Sequence, residues 1–115
     1  MATIRKFEDV DAWQKAREFS KESYSITNNG LISKDYDLKG QMRQASGSIM
    51  DNVAEGFERG RKGEFIQFLG IAKGSCGEVR SQLYRALDQG YISKMIKGLI
   101  TYFNNTEIKG QKYKK

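Results

Sequence analysis

From Leu38 to Gly56, one kind of side chain returns at alternating steps of four and three: Leu38, Met42, Ala45, Ile49, Asn52 and Gly56, all apolar or small except Asn52. The same alternation runs through Phe65, Leu69, Ala72, Cys76, Val79, Leu83 and Ala86. A mean step of 3.5 residues keeps one stripe of an α-helix turned toward a partner, whereas a strand would scatter it over both faces. No proline interrupts either segment or any other part of the 115 residues, which suits long unbroken helices. Two such helices, each about 20 to 27 residues and so roughly 30 to 40 Å long, are expected to pack as an antiparallel hairpin across the short "FERGRKG" turn.

Shorter patterns flank this hairpin. Ala12, Trp13, Ala16, Phe19, Ser23 and Ile26 share one helical face before "TNNGLIS", where Asn28, Asn29 and Gly30 favour a stop. "DQGYIS" closes the third segment at Gly90, and Ser93 is positioned to cap a fourth carrying Ile96, Leu99, Ile100 and Phe103. The expected fold is all-α: an up-down antiparallel four-helix bundle in one domain spanning 1–115. Its helices are expected near 9–27, 35–56, 62–89 and 93–108, with a basic tail over 109–115. Five glycines inside these helices (Gly40, Gly47, Gly70, Gly74 and Gly77) each cost about 1 kcal/mol against alanine if exposed. They point to close backbone approach at helix crossings.

The chemistry available is narrow. Without histidine and with a single cysteine, Ser-His and Cys-His pairs, His- or Cys-rich zinc sites and an internal disulfide are all excluded. Cys76 sits on a helical core seam, where a small buried thiol is the expected role. We expect no catalytic residue, metal or cofactor, and no small-molecule substrate is evident. No apolar run is long enough to span a membrane, and "MATIRKFEDVDAW" has no signal-peptide core, so the expected address is the cytoplasm.

The formal net charge of +6 is uneven. Residues 1–30 balance five cations with five anions, whereas 57–73 set Arg59, Arg61, Lys62 and Lys73 against Glu58 and Glu64. Residues 94–115 carry six lysines against Glu107. A polyanion would find two contact zones, the turn and the tail, although a lysine-rich tail also serves simply as a solvated end.

Asn52, one turn beyond Ser48 and three residues before Glu55, places polar groups on an apolar seam, with Ser75 and Glu78 as partners on the next helix. Acid–base catalysis would need paired carboxylates in a cleft. A polar group satisfied between helices instead selects one register and one assembly, and that structural role is the expected one.

Together these residues carry a resemblance. "FEDVDAWQKA" (7–16), "QMRQASGSIMDNVAEG" (41–56, with Arg43, Ser48, Asn52 and Glu55) and "EFIQFLGIAKGS" (64–75), with Glu78 and Leu83 beyond, make the chain similar to bacterial 23S rRNA intervening-sequence proteins over roughly residues 7–92. The resemblance implies an up-down helical bundle assembled as a homopentamer, with no enzymatic activity attached to the family. It also implies kinship with the basic, nucleic-acid-binding accessory protein of diversity-generating retroelements. The segment "NNGLISKDYD" replaces the family's usual Phe-Pro stretch, and Gly47, Gly70 and Gly77 stand where larger residues are common. The expected function is therefore a non-enzymatic homo-oligomer that binds RNA or DNA non-specifically through Arg59, Arg61, Lys62 and Lys73. The alternative is a protein-interaction scaffold that binds no nucleic acid.

Overall fold

The computed structural model describes residues 3–91 and 94–104. Helix α1 runs Asp11–Thr27, α2 Tyr36–Glu58, α3 Lys62–Asp88 and α4 Lys94–Asn104, with 3₁₀ turns at Phe7–Asp9 and Leu31–Lys34. There is no strand among the described residues. α2 and α3 share the largest interface, α1 packs on α2 and α4 on α3. The result is an all-α four-helix bundle, 46 Å along its longest axis.

Each boundary has a local cause. Asp35 caps α2 by accepting the Leu38 N–H at 3.1 Å. α3 ends in a Schellman motif: Gly90, at φ 79°, donates its N–H to the Leu87 carbonyl, and Tyr91 donates to Ala86. Tyr91 also pins the two ends of the central hairpin, because its phenol donates to Asp35 at 3.0 Å, and this bond raises its pKa.

The core follows the two seams with one shift. Leu38, Met42, Ala45 and Ile49 are buried, as are Ala72, Cys76, Val79, Leu83 and Ala86. At the far end of α2, Val53 is buried and Asn52 only half-buried, so the seam rotates by one residue away from the polar side chain. Ala12 is exposed rather than part of the α1 core face, which is Ala16, Phe19, Ser23 and Ile26. Cys76 is buried, and that burial pushes its thiol pKa up, away from the reactive thiolate.

Two expectations are corrected. α2 does not stop at Gly56 but continues to Glu58, and the left-handed glycine of the turn is Gly60 at φ 74°. Gly56 serves contact instead: a Cβ there would lie 2.5 Å from the Phe68 Cβ. Conversely, a Cβ at Gly40, Gly47, Gly70, Gly74 or Gly77 would meet nothing within 4 Å. Those five glycines therefore serve no helix crossing among the described residues. The "LISK" segment folds as a 3₁₀ turn that buries Ile32. The expected Ser93 cap, the Phe103 side chain, residues 105–108 of the fourth helix and the 109–115 tail lie outside the described residues.

Candidate nucleic-acid interface

Three residues join α2 to α3. Arg59 is still helical, and its N–H reaches the Glu55 carbonyl. Gly60 reverses the chain with its N–H on the Phe57 carbonyl at 3.1 Å, and Arg61 is extended, at φ −122° and ψ 132°. α3 then begins at Lys62 without a side-chain cap, so its first N–H groups present the positive end of a 27-residue helix.

The turn separates its cations into two kinds. Arg59 donates to Glu55 at 2.9 Å and to Glu64 at 3.4 Å, and its guanidinium lies 5.0 Å from the centroid of the Phe68 ring. The Glu55 hydrogen bond is the main reason its pKa is raised. Arg59 is thus committed to holding the turn to both helices. Arg61 is 83% exposed and only 3.9 Å from Glu64, a weak contact. Lys62 is exposed and has no ion pair among the described residues. Counting Glu55, which lies just before the turn, the stretch 55–64 carries three cations and three carboxylates. Its outward-reaching charge comes from Arg61 and Lys62.

Lys73 lies eleven residues along α3, about 16 Å from Lys62, yet eleven residues return an ideal helix to within about 20° of its starting direction. Lys62 and Lys73 therefore lie on one side of α3, and Arg80, seven residues further, lies there too. Arg80 is half-buried, and its Nε is buried without a hydrogen-bond partner among the described residues. Ile66 and Tyr84 are exposed in the same sector. Sequence reasoning missed Arg80 because it was counted outside the 57–73 charge cluster; projecting α3 as a helix would have found it.

The polar residues on the seam lie elsewhere. Ser48 and Ser75 bridge α2 and α3 through hydroxyls 3.0 Å apart. Asn52 does not cross between helices: its amide donates to the Ser48 carbonyl at 2.8 Å and the Ser48 hydroxyl at 2.9 Å. The cross-helix link is therefore the serine pair, with Asn52 bracing it. Arg43 belongs to the other side of α2, where it donates to Thr27 at 2.9 Å and Asn28 at 2.7 Å and stacks 4.4 Å from the Tyr24 ring centroid. It secures the end of α1. Glu78 is exposed and makes no bond among the described residues. Because Ser48 faces Ser75 and Gly56 faces Phe68, Glu55 and Glu78 are separated by about ten residues of helix, roughly 15 Å. The fold does not bring these two carboxylates together.

No group of three or more metal-ligating side chains occurs among the described residues, and no helix there is long and apolar enough to cross a membrane. No curated protein matches the chain. The family model described as 23S rRNA-intervening sequence protein covers residues 8–107, which takes in all four helices and the turn. The chain belongs to the 23S rRNA-intervening sequence protein family.

Proposed function

We propose that this protein is a non-enzymatic homo-oligomer that binds RNA or other nucleic acid through backbone phosphates, with little sequence preference. The observation carrying this reading is the division of labour at the α2–α3 turn. Arg59 is held by two carboxylates, whereas Arg61 and Lys62 reach outward at the uncapped start of a long helix. Lys73 extends this cationic side along α3. One subunit offers too few phosphate contacts for firm binding; repetition around a homopentamer, the assembly that the family resemblance implies, multiplies them and adds avidity.

Assembly has its own support in the helix glycines that nothing among the described residues approaches. A helix gains from glycine when another backbone comes close, and we take these open glycines as the surface on which a neighbouring subunit packs.

Exposed Ile66, Ile71 and Tyr84 on α3 favour the second reading, a scaffold that recruits a protein partner. The two readings part in a single experiment. Arg61→Gln with Lys62→Gln should weaken binding to a generic structured RNA at least tenfold at low salt and flatten its salt dependence, while the oligomer is unchanged. Arg59→Gln should affect stability before it affects RNA. RNA binding that survives the Arg61/Lys62 double change would remove the turn from the interface; no binding by the unaltered protein would favour the scaffold.

A further inference from the structure

On α1 the charges sort to opposite sides. Asp11, Glu18 and Glu22 line a groove beside α4. Trp13 and Tyr24, eleven residues apart and so within about 20° of one another, lie about half a turn round the helix from those carboxylates, with Arg17 on their side. Each ring there carries a cation: the Arg17 guanidinium is 5.7 Å from the Trp13 centroid, and Arg43 of α2 is 4.4 Å from that of Tyr24. One turn before Arg43, Lys39 is 6.0 Å from the centroid of Tyr36, which is 76% exposed.

Arg17, Lys39 and Arg43 pair with no carboxylate among the described residues. Asp35 is taken by the Leu38 N–H and the Tyr91 phenol, and Asp37 by Gln41 at 3.0 Å and Arg85 at 3.8 Å. Arg43 is half-buried and held only by neutral groups, Thr27, Asn28 and the Tyr24 ring. A guanidinium so fixed and so uncompensated is set for an anion. The three pairs also follow one another along the helices: Trp13 with Arg17, then Tyr24 with Arg43 roughly 16 Å along α1, then Tyr36 with Lys39 roughly 10 Å further along α2. A single strand of nucleic acid presents the same alternation of charge and flat ring, and its bases stack on aromatic side chains and on guanidinium planes. A duplex, with its bases paired, would use only the cations. We infer that the α1–α2 face binds single-stranded nucleic acid, its phosphates on Arg17, Lys39 and Arg43 and its bases on the Trp13, Tyr24 and Tyr36 pairs. This rests on the reading of the protein as a nucleic-acid binder, and adds to it a face distinct from the turn and a preference for unpaired strands.

Trp13 is the only tryptophan in the chain, so its fluorescence reports a base stacking beside it. Titrating the full chain with a short oligothymidylate at low salt should quench Trp13 emission, whereas inorganic polyphosphate, which has charge and no bases, should not. Tyr36→Ala should weaken oligothymidylate binding about tenfold, the size of one lost stack, leaving helicity by circular dichroism and binding to a fully paired RNA duplex unchanged. Equal quenching by polyphosphate would make this a simple anion site and overturn the inference. So would oligothymidylate binding without quenching, or binding undiminished by Tyr36→Ala. A protein that binds structured RNA but no oligothymidylate overturns this inference and leaves the proposed function standing; binding of neither removes both.

Discussion

The inner and outer faces of the α2–α3 hairpin use glycine in opposite ways. On the inner face Gly56 is buried against Phe68, with no room for a methyl group. On the outer side Gly40, Gly70, Gly74 and Gly77 are exposed, and Gly47 half-buried, with nothing within 4 Å of a Cβ at any of them. Inside, glycine is required by contact and its backbone entropy is offset by the α2–α3 packing it permits. Outside, no such offset exists among the described residues. The same residue thus marks a completed interface on one face and open surface on the other.

Three substitutions probe that contrast. Gly56→Ala should have the largest effect, a loss of about 3 kcal/mol in urea unfolding, because the methyl group must displace the Phe68 side chain or part the helices. A neutral outcome would mean that the crossing is looser than described. Ser75→Ala tests the border between the faces: it removes the hydroxyl bridge to Ser48, leaves Asn52 on Ser48, and should cost about 1 kcal/mol in the same measurement. The smallest effect belongs to the outer face. Gly70→Ala in dilute monomer should raise stability by about 0.5–1 kcal/mol through helix propensity alone. In the assembled protein, at concentrations where the oligomer dominates, that gain should vanish or reverse if a neighbouring backbone approaches Gly70. A uniform gain at all concentrations would place this glycine outside any interface.

Much of this hairpin was legible in the sequence because its signals are periodic and local. The four-three alternation located α2 and α3, and Gly90 marked the end of α3. What was illegible depended on partners distant in the chain. Gly56 looked like a stop because a glycine after an apolar stripe often is one, and only the approach of Phe68 shows that it is a contact. Asn52 fell on the seam by counting, yet α2 turns Val53 inward, a choice set by packing rather than spacing. Arg59, Arg61 and Lys62 were equivalent as charges in a string, and folding separated them because Glu55 and Glu64 converge on Arg59 from two helices.

The candidate interface shows the same limit from the other side. Lys73 was grouped with the turn by charge alone and Arg80 was left out, but helical geometry carries both onto the side of α3 that begins at Lys62. The family resemblance reached the fold more directly than it reached this arrangement, because a bundle is encoded by patterns along each helix. A binding surface depends instead on which charges remain uncommitted after folding.

Repetition of this surface in a homo-oligomer is proposed to bind nucleic acid. Light scattering after size exclusion, first of the protein alone and then with a generic structured RNA over a salt series, tests it most directly. The account predicts a particle of five times the 13.1 kDa chain mass that shifts to higher mass with RNA at low salt and releases it steeply as salt rises. A 13.1 kDa monomer, or an oligomer that ignores RNA at every salt concentration, would contradict it.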